Sequence, residues 1–508
     1  MVVFINMINN TNINNNGSND SNANIKLSNC LLDNMNQLKV KLTNCPDIIW
    51  KSVYLNNNKE GCFIYIEGLV NDNLIQRDFI SPIISMKYED LLDLKKIQNI
   101  PTSSIFLTYD FNELLQNIMS GITIFIVDGI NYAICCKSIK SEKREISEPQ
   151  TEKNVKGPHE GFIEDLNVNM SILRKRIRNS NLKFKTLKLG TTTNQTTAIA
   201  YIEGIANPQM IDTLYNKLST INYDGLLAIG YIQQLITDFK KSPFPQYQAT
   251  ERPDRTIAAL LEGRLVVLLD MTPVALIVPI NFFAFLTAFD DYSTHWIFGS
   301  FLTILRFLAL IIAVFLPGLY IAITSFHYYM VPLNLLVSLA ESRSRVFLPP
   351  ILEALVMEIT IEFIREAAVR LPTYIGTSVG IVGGIVIGQA AVQAGIVSDL
   401  LIIIVAVTAI ASFVQPTYDM GLAIRFIRFA IMILSAIFGI VGVLTGGALI
   451  IAHLVVLESL GQPYFQPIIP LRVKDLKDTI VRFPLDLLRN RPEMPKPVDK
   501  KRGKGNGK

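Results

Sequence analysis

The chain has 508 residues, 50% of them hydrophobic, with a formal net charge of +4 and a mean hydropathy of +0.34. These averages combine two unlike halves: the first is rich in Asn, Lys, Asp and Glu, whereas no lysine occurs from Ser242 to Val473. Charge at the centre of a bilayer costs roughly 2.5–3.5 kcal/mol on insertion scales, so this avoidance excludes a wholly soluble protein with an ordinary charged surface.

Met1–Ala23 is an Asn-rich polar run with neither the charged n-region nor the apolar h-region of a signal peptide. Residues 1–39 therefore read as a disordered extension, and the N-terminal half is expected to stay in the cytosol. Two similar blocks follow. Cys62–Asn71 (CFIYIEGLVN) with Gly121–Gly129 (GITIFIVDG) is echoed by Ala198–Asn207 (AIAYIEGIAN) with Gly263–Met271 (GRLVVLLDM). Each block reads as an apolar β run, a helical stretch (Glu89–Lys96 or Gln209–Leu218) and a later strand ending at an Asp turn. The spacing predicts two related α/β subdomains, at 40–150 and 190–280.

Between them, 151–189 forms a basic connector. A Gly-Pro turn at Gly157-Pro158 precedes Phe162, Leu166, Met170, Leu173 and Ile177 at helical spacing. The cluster Arg174-Lys175-Arg176 and Arg178 falls at the helix C-terminus, where cations are favoured; it reads as a solvated helix end, with contact to anionic lipid as the alternative. Five cysteines without CxxC spacing read as buried or half-buried free thiols of a reducing compartment. The four histidines are not paired at a ligating interval, and neither a phosphate-binding glycine loop nor a GxSxG nucleophile signature occurs. These residues thus offer no catalytic site, cofactor or metal. No basic surface interleaved with aromatics points to nucleic acid.

The membrane domain is expected over 281–470. Asn281–Trp296 is an aromatic, partly acidic approach to the interface, and Ile297–Thr324 is the first spanning candidate. It holds the intramembrane charge Arg306, which must face protein or water. A helix bounded by Pro350 and Pro372 carries Glu358, Glu362 and Glu366 on one face, with Arg365 and Arg370 within a turn of them. It is too charged for lipid all round, and Glu358, Glu362, Arg365 and Glu366 are the candidate ion path, against the plainer reading of a salt-bridged or interfacial helix. Gly376, Gly380, Gly384 and Gly388 recur every four residues and predict close helix packing. Further apolar runs at Leu400–Val414 and, after Arg425 and Arg428, at Phe429–Val456, the latter with Gly446-Gly447 as a kink, bring the count to about four spans plus one amphipathic helix. The tail, 471–508, carries twelve Lys/Arg against five acids, a charge of +7 that places it in the cytosol and makes the number of spans even. The expected fold is α+β and α: two related cytosolic α/β subdomains followed by a polytopic α-helical membrane domain.

Several stretches together resemble the A subunit of the GerA-type spore germination receptors. They include KGPHEGFIEDLNVNMSILRKRIRNSNLKFKTLKLG (156–190), PFPQYQATERPD (243–254), EITIEFIREAAVRLP (358–372), GIVGGIVIGQAAVQAGIVS (380–398) and LRVKDLKDTIVRFP (471–484). The resemblance implies a multi-pass receptor subunit of the spore inner membrane that acts with a permease-like B subunit and a C lipoprotein. It also implies that nutrients trigger ion release, with the A subunit oligomerising into the conducting part. Where the family usually has Gly after the strand-end Asp, this chain has Met271. The alternatives are a paralogous subunit that modulates germination without its own nutrient sensor, and a secondary transporter; no internal repeat across Ile297–Leu460 supports the latter.

Overall fold

A computed structural model describes residues 26–56, 59–102, 104–137, 149, 152, 157–288, 290–371, 384 and 386–503. The chain divides into two compact units, one of 1–43 with 48–141 and the other of 44–47 with 142–508.

The first unit opens on helix α1 (Leu31–Lys41), which buries Leu31, Met35 and Leu38 at helical spacing. This helix lies inside the segment assigned to a disordered extension. The folded part therefore begins earlier than its Asn-rich composition suggests, while 1–25 lie outside the described residues. A five-stranded antiparallel sheet follows, in the order β1-β2-β4-β5-β3, formed by β1 (Ile48–Tyr54), β2 (Glu60–Ile66), β3 (Ile105–Thr108), β4 (Ile122–Val127) and β5 (Ala133–Lys137), with helix α2 (Phe111–Met119) between β3 and β4. All six residues of β4 are buried, as expected of a central strand covered on both faces.

The second unit repeats the plan. Helix α3 (Leu166–Arg176) precedes β6 (Leu182–Leu189), β7 (Gln195–Ile202), α4 (Pro208–Ser219), α5 (Ile229–Ile236), β8 (Gln248–Thr250), α6 (Pro253–Leu261), β9 (Leu265–Leu269) and β10 (Ala275–Val278). Its sheet order, β6-β7-β9-β10-β8, is that of the first. The likeness extends to single hydrogen bonds. Leu31 N donates to Asp128 Oδ1 at 3.3 Å, as Leu166 N does to Asp270 Oδ1 at 3.3 Å. Asn34 Nδ2 donates to the Ser28 carbonyl at 2.6 Å, as Asn169 Nδ2 does to that of Ile163 at 2.6 Å. Separate coincidences would not reproduce one local and one long-range bond at matching places, so duplication is the economical account.

The repeats differ after the strand-end Asp. Gly129 has φ +90° and Met271 has φ +64°, a left-handed conformation that costs a residue with a Cβ about 1–2 kcal/mol. Met271 is 67% exposed and has little packing to lose. Met271→Gly is expected to stabilise the protein by about 0.5–1 kcal/mol after the entropy of glycine is counted. A rise in the denaturation midpoint checks this; a fall would mean that Met271 packs in a way its exposure does not show.

In the second sheet, side chains alternate between two cores. Ile199, Val267 and Leu276 pack with Leu214 and Ile232 of α4 and α5. Ala198, Val266 and Ile277 face the other way, into a core with Leu173 of α3 and Leu260 of α6. That second core continues through Phe282, Phe285 and Tyr464 to Ala313, Ile424 and Leu454 of the C-terminal helices, joining sheet and bundle.

The basic connector corrects the sequence reading. Arg174 is fully buried rather than solvated; its Nε and Nη2 each reach an Asp47 carboxylate oxygen at 2.9 Å, and the guanidinium lies 5.0 Å from the Phe184 ring centroid. Arg176 pairs with Glu160 at 2.5 Å. Among the described cysteines, Cys30 is exposed, while Cys45, Cys62, Cys135 and Cys136 are buried free thiols.

The helical part contains α7 (Asp290–Ser293), α8 (Trp296–Ser325), α9 (Leu333–Arg343), α10 (Pro350–Arg370), α11 (Asp399–Phe413), α12 (Tyr418–Phe438) and α13 (Ile440–Val456). Among the described residues, α8 and α12 are long and apolar enough to cross a membrane; α11 and α13 are shorter apolar helices of 15 and 17 residues. Phe298, Phe301, Leu305 and Leu308 of α8 are exposed, an apolar face that water does not favour. The Phe429–Val456 run is two helices, because the chain reverses at Gly439, whose φ +61° and ψ −138° suit only glycine. Gly446 is a packing site against Ile431, and a Cβ on Gly442 would enter the Leu434 carbonyl. The tail folds back on the second subdomain: Val498 N donates to the Ile205 carbonyl at 2.9 Å, and Arg491 Nε to that of Leu261 at 2.8 Å. The tail and the second subdomain therefore share one side of the bundle.

Candidate functional site

Helix α10 begins with Pro350 in its first turn, where a missing N–H costs nothing, and lies against α8, α11 and α12. Its acids run from buried to exposed along the helix. Glu353 is 0% exposed; its Oε1 accepts from the Tyr320 hydroxyl at 3.0 Å and the Ser398 hydroxyl at 3.3 Å, with Arg343 at 3.7 Å. Glu358 is ion-paired with Arg428 of α12, and both side chains are 1% exposed. One turn on, Glu362 meets Arg425 of α12 at 3.0 Å and Arg365 of its own helix at 3.1 Å. Glu366 pairs with Arg370 at 2.6 Å, and both are exposed.

These pairs form a ladder. Glutamates four residues apart on α10 face arginines three residues apart on the oppositely running α12, so a single face of each helix supplies both rungs. Arg365 also donates from Nη2 to Ser412 of α11 at 3.0 Å, and its guanidinium lies 4.4 Å from the Phe413 centroid. Glu358 and Glu362 are thus neutralised by arginines of their own chain, and Glu366 lies outside the buried part. Glu353 Oε2, Glu358 Oε1, and Nε and Nη2 of Arg428 have no hydrogen-bond partner among the described residues. A buried ion pair left this under-satisfied adds little stability when intact and costs much when broken.

Arg306 is buried against protein. Its two terminal nitrogens reach the Asp291 carboxylate at 2.6 and 2.9 Å, and its carbonyl accepts from Gln415 Nε2 at 3.2 Å. Of the four glycines, Gly376 and Gly380 lie outside the described residues. A Cβ on Gly384 would meet nothing within 4 Å, and one on Gly388 only Ile402 at 3.9 Å. Among the described glycines inside helices, the close contacts fall instead at Gly318, Gly442 and Gly446. Sequence reasoning missed Glu353, Tyr320 and Ser398. It noted Arg425 and Arg428 only as bounding an apolar run, although charges inside an apolar helix call for an internal partner. Among the described residues, no group of three or more His, Cys, Asp or Glu is placed to hold a metal.

Residues 36–494 match the family described as "Bacillus/Clostridium GerA spore germination protein". The chain is 38% identical over 465 residues to the "Uncharacterized membrane protein YfkQ" of Bacillus subtilis (strain 168), covering 91% of this chain and 90% of that one. It is 38% identical over 476 residues to spore germination protein B1 of the same organism (92% and 98%), and 39% identical over 439 residues to spore germination protein GerQA of Bacillus cereus (86% and 87%). A crystal structure of the N-terminal domain of the A subunit of the Bacillus megaterium spore germinant receptor GerK3 aligns with 51% of this chain and 98% of its own, at 28% identity and a TM-score of 0.41.

Proposed function

Given that this chain belongs to the GerA family of spore germination proteins, we propose that it is the A subunit of a nutrient germinant receptor whose helical bundle conducts ions once the receptor is triggered. The subunit crosses the spore inner membrane several times with both terminal regions in the cytosol, alongside a permease-like B subunit and a C lipoprotein. Several copies assemble around the path, with the open Gly384 and Gly388 positions taking a helix from a neighbour.

The observation that carries this reading is the ladder Glu358–Arg428 and Glu362–Arg425. In the closed arrangement the arginines hold the carboxylates. When α10 moves against α12, carboxylates are released to a water-filled path, where a ring of them selects cations. Glu362 is the rung most easily released, because its side chain is 28% exposed against 1% for Glu358.

Glu362→Gln is therefore expected to lower cation conductance of the reconstituted receptor several-fold while leaving assembly intact. Unchanged conductance and selectivity would sink the ion-path assignment. One relative of equal identity, YfkQ, is described only as a membrane protein, which leaves room for one second reading. On it, the chain is a paralogous conducting subunit without its own nutrient sensor. Co-purification from spore membranes separates the two: the first reading requires a permease-like partner, the second its absence.

A further inference from the structure

Before it reaches the second subdomain, the tail passes the base of α8. Ser300, in the second turn of that helix, donates from Oγ to the Arg482 carbonyl at 2.8 Å and accepts from the Arg482 amide at 3.1 Å. The Arg482 guanidinium lies 4.5 Å from the Tyr292 ring centroid. Upstream, Asn281 Nδ2 donates to the Gln466 carbonyl at 3.0 Å, and Phe465 packs on Phe282 and Phe283. The stretch between these anchors is turned by its own bonds, Arg472 N to the Pro467 carbonyl at 2.8 Å and Phe483 N to that of Lys477 at 3.1 Å. Its outward side is apolar and basic together. Leu471 is 67% and Val473 69% exposed, with Ile469 and Val481 exposed as well, an arrangement that water alone does not favour. Lys474 and Lys477 are exposed beside them. The neighbouring charges are already engaged: Arg472 pairs with Glu493, Asp475 Oδ2 accepts from the Glu493 amide at 3.1 Å, and Asp478 Oδ2 accepts from the Tyr292 hydroxyl at 2.8 Å. Phe298 and Phe301, on either side of Ser300 in the chain, are exposed too, so helix base and tail both present apolar surface at this end of the bundle.

We propose that residues 469–481 dock on the cytosolic leaflet, with Leu471 and Val473 entering the headgroup layer and Lys474 and Lys477 taking the phosphates of anionic phospholipids. The proposal rests on the membrane-crossing reading above and adds to it a defined headgroup contact outside the spanning helices. Charge complementarity argues for this occupant. A lysine ammonium on a flexible stem reaches a phosphate while its methylenes cover apolar surface. Each cation held near an anionic leaflet is worth roughly five-fold in affinity. Because the turn is held by Ser300 and Asn281, the contact would fix the tail against the base of α8.

The test follows amide hydrogen exchange of the full-length protein in nanodiscs of phosphatidylcholine, with and without about 30% phosphatidylglycerol. Exchange over 469–481 is expected to slow about ten-fold with the anionic lipid, and that slowing should largely vanish at about 0.5 M NaCl, which screens the contact. Lys474→Gln/Lys477→Gln alters two exposed side chains, so it should insert as wild type does and lose the lipid-dependent slowing; Lys474→Arg/Lys477→Arg should retain it. Soluble glycerol 3-phosphate added to the phosphatidylcholine discs should give no protection. Insertion with equal exchange in the two lipids, slowing that survives in the glutamine variant, or equal protection by glycerol 3-phosphate overturns the proposal. Protection that follows protein concentration instead of lipid charge also overturns it, and assigns the surface to a second copy. Failure to enter the discs at all would instead sink the membrane-crossing reading on which the proposal rests.

Discussion

Arg428→Met is expected to destabilise the full-length protein by about 3–5 kcal/mol, because it strands the Glu358 carboxylate in the bundle. Both partners are 1% exposed, and Glu358 Oε1 already lacks a hydrogen-bond partner among the described residues. Solvent is thus not at hand to replace the lost guanidinium. The double variant Glu358→Gln/Arg428→Met removes both charges at nearly constant volume and is expected to recover most of the loss, since the intact pair contributes little net stability. Denaturation of the two variants in the same detergent checks this. A single-variant cost below about 1 kcal/mol would show that water reaches the pair. The same asymmetry bears on opening. Freeing Glu358 without a new partner for Arg428 carries this whole penalty, whereas Glu362 keeps Arg365 on its own helix when Arg425 withdraws. The ladder should therefore open from Glu362 toward Glu358.

Features written in local spacing were legible, and those made by distant pairing were not. The duplicated blocks predicted two subdomains, since period-two apolar runs and Asp turns recur at nearly constant intervals. The four-residue spacing of Glu358, Glu362 and Glu366 placed them on one helix face. What the spacing could not say is that Arg425 and Arg428, more than sixty residues on, run the opposite way past that face. Arg174 was misread for the same reason: its partner Asp47 lies 127 residues earlier, so a basic helix end looked solvated. Glu353 sits alone at a helix start, and nothing local marks it as the point where Tyr320 and Ser398 meet. Composition misled twice. Asparagine around α1 hid the Leu31, Met35 and Leu38 stripe, and unbroken hydropathy across Gly439 hid a reversal set by backbone dihedrals alone.

Arg306→Met should have a comparable effect at a different place, about 3–5 kcal/mol, by leaving Asp291 buried at 2% exposure without its guanidinium. Asp291 also accepts from the Ala288 amide at 2.9 Å, so it closes the turn that leads from the soluble subdomain into α8. The loop before α12 is tied to the same place, Gln415 reaching the Arg306 carbonyl at 3.2 Å and Thr417 the Phe285 carbonyl at 3.3 Å. The ion pair thus holds the subdomain exit against the first long helix, and backbone carbonyls beside it anchor the entry to the second. Hydrogen exchange should rise in 281–295 and at the start of α12 in Arg306→Met, and remain near wild type in the first sheet, which belongs to the other unit. Arg306→Lys keeps the charge but cannot make the two-pronged contact, so it should show an intermediate rise. Asp291→Asn/Arg306→Met should recover much of the lost stability while still exchanging faster than wild type, because burial returns without the fork that fixes the turn. In spores, loss of the germination response at normal subunit level in Arg306→Lys would place this joint in signal transmission. A response that falls only in proportion to the amount of protein would confine Arg306 to holding the fold.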